Sequence, residues 1–331
     1  MLEELTNLIK QNRPKLSASS INTYVSTLKN LYFQVYPADK LEKKIEIAKF
    51  YNHKDFIDHL ADVPSNKRKS VLSALLAVCI TPEQGLPYRK IMFEDIKVYN
   101  DEQVQQVKNE NEQKNWINQD QLKTIFNEYK DMSMKIMKVS VKKEITNGAS
   151  YASMLNDIQY VQNFIILCLT SGLFIPPRRS LDWVAMIFDT KPQETEADVS
   201  IQLGGHNIYT NLKKNSKFVF VKYKTNSSFN VQEIAVPAEL NDILQLWIKF
   251  ISKFYKGNYL LFDSNGNKLT PVKLNQRLNK IFGGKISVNA LRHSFVTEKY
   301  VDKPMPPLAE IIETATAMAH NPITHLKYIK K

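Results

Sequence analysis

Between Lys97 and Lys114 the chain consists almost entirely of Asp, Glu, Gln, Lys and Asn. A stretch so poor in apolar side chains cannot fill a core, so it reads as a linker or an exposed helix. The apolar residues before and after it must then build separate cores. A length of 331 residues fits that division, being long for one domain and ordinary for two. We expect a helical block over residues 1–96, a polar linker over 97–114 and a second domain over 115–331.

In the first block Leu16 to Ser20 offers N-caps. Ile21, Tyr24, Val25, Leu28, Leu31 and Tyr32 then follow at helical spacing, and Pro37 stops the run. A second helix fits Leu41 to Leu60 and a third Asn66 to Cys79, with Pro82 and Pro87 closing the block. Lys67, Arg68 and Lys69 lie in the first turn of the third helix, where cations oppose the helix dipole. Two readings fit them: contacts to phosphates, or a solvated basic end.

Past the linker, Asn118 and Gln121 form a capping-box pair ahead of Leu122, Ile125, Phe126 and Tyr129. A long helix fits Tyr151 to Leu169, and Gly172 with Pro176-Pro177 breaks it. Arg178 and Arg179 come next, between apolar runs, which places them semi-buried and in need of an anion. Asp182 is spaced to orient Arg179 from three residues on. Lys217–Tyr223 and Val231–Val236 read as two strands of a β-hairpin, with Lys224 at its tip or strand end. Helices follow over Leu240–Ile251, after Thr270-Pro271, and after Ser287. The fold class is mostly α (α+β), with one small antiparallel sheet or hairpin.

The charge balance is 45 − 33 = +12, which suits a polyanionic partner because Lys and Arg on phosphates release counterions. The two cysteines, Cys79 and Cys168, sit in apolar runs and read as buried free thiols in a reducing compartment. No Cys/His spacing suggests zinc. The turn Asp263-Ser-Asn-Gly-Asn lacks the glutamate that closes a calcium loop. The longest apolar run, Phe164 to Leu169, is far short of a bilayer span, and the acidic start is no signal peptide. These features place the protein inside the cell, away from membranes.

The residues suited to chemistry lie near the end of the sequence. Ser287 caps a helix whose Val288, Leu291 and Phe295 face the core, so Asn289, Arg292 and His293 share the adjoining face. A helix N-terminus already favours an anion, and a guanidinium adds bidentate donors. After His320, Asn321-Pro322 restarts a helix that carries His325 and leads to Tyr328. Singly, each has a plain structural role available. Together, in the order Arg179, Lys224, Leu291-Arg292-His293-Ser294, Ala319-His320 and Tyr328, they form a set.

That set resembles the tyrosine recombinases, the integrase-type DNA breaking–rejoining family, and the resemblance covers most of the chain. Residues 1–96 resemble the core-binding domain and 115–331 the catalytic domain. Arg179 with Asp182 resembles the first arginine box, Lys224 the hairpin lysine, Arg292 with His293 the second arginine box, His320 the Gly-His box and Tyr328 the nucleophile. The wording around Pro176-Pro177 is closer to forms associated with large DNA viruses and mobile elements, and leaves Arg178 as an alternative to Arg179. Two departures stand out. Asn289 takes the place of a histidine, and asparagine carries no proton at neutral pH; His320 or Lys224 then bears more of the proton transfer. The sequence also stops three residues after Tyr328, where many relatives continue into a helix that docks on a neighbouring subunit. Either the chain is truncated or the assembly is held differently.

The resemblance implies cleavage of double-stranded DNA through a 3′-phosphotyrosyl bond to Tyr328, and rejoining by a 5′-hydroxyl. Arg179 and Arg292 stabilise the phosphorus centre, Lys224 protonates the leaving oxygen and His320 bonds a phosphate oxygen. Arg178, His293 and Lys67, Arg68 and Lys69 are candidate DNA contacts. The family works as a tetramer on two duplexes and needs no cofactor or metal. Two alternatives stay open: a type IB-like topoisomerase, and a DNA-binding relative with impaired catalysis.

Overall fold

The computed structural model describes residues 2–42, 44–142, 151–189 and 205–331. The chain forms two compact units, Met1–Gln105 and Gln106–Lys331, and the division falls inside the polar stretch.

The first unit is helical: Leu2–Asn12, Ala18–Val35, Pro37–Glu42, His53–His59, Ser65–Val78 and Pro82–Gln105, with a 3-10 turn at Ile47–Tyr51. Ser17 caps the second helix by accepting from the Ser20 amide. Ile21, Leu28, Leu31 and Tyr32 bury its inner face against Phe50, Phe56, Leu72 and Leu75. Two expectations fail here, each for a local reason. Leu41–Leu60 is not one helix, because the Tyr32 hydroxyl accepts the Glu46 amide and bonds Asp39, which turns the chain before Ile47. Pro82 does not end the helical block but begins its longest helix, with Pro87 inside it. A proline near a helix start forfeits few intrahelical bonds, so the helix runs on to Gln105.

In the second unit the helix Leu155–Thr170 is central, with ten of its residues buried, as its Phe164–Leu169 run requires. Around it pack Gln119–Lys142, Ala238–Ile251, Pro271–Phe282 and Val288–Tyr300. The expected caps are in place: Asn118 and Gln121 exchange side-chain bonds with each other's amides, Thr270 accepts from Lys273 and Ser287 from Ala290. Gly172 ends the central helix at a φ of 86°, and a Cβ there would lie 2.5 Å from the Phe295 ring. The hairpin is present as β3 (Lys217–Phe220) and β4 (Gln232–Ala235), antiparallel, with both strands shorter than expected. It belongs to a four-stranded mixed sheet in the order β1-β2-β3-β4, where β1 (Ile187–Asp189) and β2 (Ile208–Thr210) are parallel. Among the described residues the protein is thus mostly helical with one small sheet. No described helix is long and apolar enough to cross a membrane.

Candidate active site

The helix Leu308–Ala317 ends in a tight turn that organises the site. Its last carbonyls lack intrahelical partners and lie at the negative end of the helix dipole. Three arginines from two distant stretches take three consecutive carbonyls. Arg178 Nη1 donates to Ala317 at 2.8 Å, Arg292 Nη2 to Met318 at 3.3 Å and Arg179 Nη1 to Ala319 at 3.1 Å. Ala319 adopts a left-handed φ of 53°, a conformation that usually selects glycine. Its carbonyl also accepts from Thr225, and Gln232 bridges the Thr316 carbonyl and Arg178.

The three guanidiniums differ in what else holds them. Arg178 is fully buried, stacked 4.0 Å over Phe220, and its Nε donates to Asp182 at 2.8 Å. Asp182 therefore orients Arg178, not Arg179 as the spacing suggested. The ion pair spans four residues across the short helix Ser180–Trp183, while Arg179 sits at that helix's N-cap and reaches Ala319. Burial pushes the Asp182 carboxyl up, against the pull of Arg178. Arg292 is buried with no carboxylate of the described residues paired to it, and burial draws its guanidinium down to about 10, so it stays charged at neutral pH. Its Nη2 also meets His320 Nε2.

His320 is 2% exposed, and burial together with the charge of Arg292 pushes it down to about 2. It is neutral at physiological pH and accepts from Arg292 through Nε2. Burial thus weakens as a base a residue expected, with Lys224 as the alternative, to bear more of the proton transfer. Arg178 Nη2, Arg292 Nε and His320 Nδ1 are buried without a hydrogen-bond partner among the described residues. Buried donors of this kind favour an anion.

Asn321 caps the short helix Pro322–Leu326, and Tyr328 follows it. The Tyr328 ring lies 4.3 Å from His293, nearly parallel at 16°, and 4.5 Å from His320. The Arg292 guanidinium is 5.1 Å from its centroid. The Tyr328 hydroxyl donates to Asn289 Oδ1 at 3.1 Å, and its carbonyl accepts from His293 Nδ1 at 2.9 Å. His325 faces the other way, buried against the Tyr300 hydroxyl at 3.0 Å, and burial pushes it down to about 4. The residues after Tyr328 are anchored within the unit: Lys330 N–H donates to Thr297, Lys331 N–H to Gln106, and the Gln106 side chain to Leu326.

Arg178, Arg179, Arg292 and His320 are thus gathered around one turn, and Asn289 and His293 hold Tyr328 beside His320. Lys224 is exposed on the connection between β3 and β4, next to Thr225, whose hydroxyl ties that connection to Ala319. Lys67, Arg68 and Lys69 belong to the other unit. There Arg68 makes a two-pronged pair with Asp95, at 2.7 and 3.0 Å, and also bonds the Ala61 carbonyl. Its donors are committed within the unit, which gives it a structural role in place of the expected phosphate contact. Lys69 lies over the Tyr99 ring, and Lys67 is exposed. Thr225 and Gln232 carry no motif that marks them in sequence; only the turn they bind does so.

No family model and no curated protein matches the sequence. Among solved structures, the chain is similar to XerA recombinase at 12% identity, covering 98% of this chain and 93% of that one, with a TM-score of 0.36. It is also similar to XerH site-specific recombinase bound to difH substrate in a pre-cleavage complex, at 14% identity, 100% and 92% coverage and a TM-score of 0.42. A third likeness is to XerH bound to palindromic difH substrate in a post-cleavage complex, at 16% identity, 99% and 91% coverage and a TM-score of 0.42.

Proposed function

We propose that the protein cleaves and rejoins double-stranded DNA as a tyrosine recombinase, with Tyr328 as the nucleophile. The observation that carries this is the placing of a tyrosine against a charged, buried arginine and a neutral histidine, with two further arginines on the same turn. The net charge of +12 supports a polyanionic partner.

In this reading a scissile phosphate sits among Arg179, Arg292 and His320. Arg292 and His320 offer their unpartnered Nε and Nδ1 groups to it. The Tyr328 oxygen bonds to phosphorus, the bond from phosphorus to the 5′-oxygen breaks, and that oxygen takes a proton from Lys224. The phenol proton passes to a phosphate oxygen or to water, since Asn289 accepts a hydrogen bond but not a proton. A 5′-hydroxyl from a second duplex reverses the step and completes strand exchange, in an assembly of four copies on two duplexes. The covalent link keeps the phosphodiester energy, so the chemistry needs no cofactor.

One observation favours a second reading, a DNA-binding relative without cleavage: the side chain bonded to the Tyr328 hydroxyl is Asn289. A single experiment separates the two. Nicked suicide duplexes tiled from the DNA flanking the gene are incubated with the protein and run on a denaturing gel. The recombinase reading expects a protease-sensitive covalent adduct from wild type and none from Tyr328→Phe. Tight DNA binding with no adduct from wild type would favour the second reading.

A further inference from the structure

We propose that His293 is a positioning residue that seats Tyr328, through a hydrogen bond at one end of the tyrosine and ring stacking along it, and is not a DNA contact. The inference deepens the proposed function and rests on that reading for its effect on cleavage.

The two restraints act on different degrees of freedom. Nδ1 lies 2.9 Å from the Tyr328 carbonyl, which fixes the backbone just past the short helix. The imidazole lies 4.3 Å from the phenol ring at 16°, which fixes the ring's rotation about its side-chain bonds. For Nδ1 to donate to a carbonyl it must carry the proton. Burial lowers the histidine's pKa, so the ring is neutral and its donor is already spent on Tyr328. A phosphate would find no N–H donor left on it.

His293 does not work alone. Asn289 lies one turn earlier on the same helix, and side chains four apart share a face. Asn289 holds the phenol hydroxyl and His293 the carbonyl, so one face of the Val288–Tyr300 helix grips the tyrosine at both ends. Arg292, between them in sequence, reaches the turn at Met318. The helix therefore sets the nucleophile and the arginine from a single rigid element. Near-attack geometry of this kind is sensitive, since a misplacement of about 1 Å can cost on the order of 10²-fold in rate.

Two conservative variants separate the restraints. His293→Phe keeps a stacking ring and loses the N–H; His293→Asn keeps an N–H donor and loses the stack. With nicked suicide DNA at saturating protein, each is expected to slow adduct formation by roughly 10-fold, and His293→Ala by roughly 10²-fold. DNA affinity and its salt dependence should stay as in wild type. Unchanged cleavage at saturation, with weaker binding and a salt slope reduced by about 1, would overturn the proposal and make His293 a phosphate contact.

A second measurement needs no cleavage. In protein labelled with fluorotyrosine, the Tyr328 resonance is identified by its loss in Tyr328→Phe. Wild type and His293→Phe should show it displaced by ring stacking, and His293→Asn should move it toward the exposed-tyrosine position. An unmoved resonance in His293→Asn would refute the stacking restraint. If wild type forms no adduct but the resonance moves as expected, the cleavage reading fails while the seating of Tyr328 by His293 stands.

Discussion

Arg68 in the first unit and Arg292 in the second both look, in sequence, like phosphate-binding cations near a helix start. Their surroundings make them opposites. Arg68 is paired through two nitrogens with Asp95, a carboxylate only 2% exposed, so its charge is cancelled where it sits. Arg292 is held by the Met318 carbonyl and by neutral His320, neither of which carries a full charge. A carboxylate uses up a guanidinium, whereas carbonyls orient it and leave its charge for a ligand. Arg178 is intermediate, with Asp182 on one edge, the Ala317 carbonyl on another and one nitrogen unpartnered.

The contrast is most sharply tested at Arg292. Arg292→Ala should slow covalent adduct formation by about 10²–10³-fold at saturating DNA, the range for losing a donor to developing transition-state charge. Single-turnover gels read the rate. A loss below about 10-fold would mean that the carbonyl-held arginine is not the one facing the phosphate.

Arg68 should respond in stability. Arg68→Ala strands the buried Asp95 carboxylate, at a cost of about 3 kcal/mol, and Arg68→Ala with Asp95→Asn should recover most of it. Denaturant melts of the full chain measure both. Cleavage per folded molecule should be little changed by Arg68→Ala. A large loss of DNA binding with intact stability would restore Arg68 as a phosphate contact.

A further effect concerns acid. His320 and His325 are buried neutral, pushed down to about 2 and about 4, against about 6.5 in an unfolded chain. Below pH 6.5 the unfolded state binds protons that the folded second unit refuses, so stability falls as the pH drops. Both histidines add to this fall, His325 down to about pH 4 and His320 further. Melts of wild type between pH 7 and 4 should show this slope, reduced in His325→Phe. A flat profile would contradict the buried neutral histidines.

Much of the fold was legible because its signals are local. Ser17, Asn118, Thr270 and Ser287 cap helices where their spacing to the next polar or apolar residues required it. The apolar run at Phe164–Leu169 marked the central helix for the same reason. The order of Arg179, Arg292, His320 and Tyr328 named residues that the fold does bring together. The partners were not legible. Asp182 stands three residues from Arg179 and four from Arg178, and only the path of the chain around Ser180–Trp183 decides between them. Asp95 is 27 residues from Arg68, and nothing near either marks the pair. His293 seemed to belong with Arg292 because they are neighbours in sequence. Its ring lies on a tyrosine 35 residues away. Ala319, where glycine is the usual choice for a left-handed turn, shows the limit of a motif: the backbone takes the shape while the residue departs from it.

The most direct test of the account is the chemical identity of the DNA adduct. Protein trapped on nicked suicide DNA is digested with protease and nuclease, and the modified peptide is sequenced by mass spectrometry. One nucleotide-bearing residue is expected, Tyr328, joined through a 3′-phosphate. A nucleotide on any other of the fifteen tyrosines, or DNA bound tightly with no adduct at all, would contradict it.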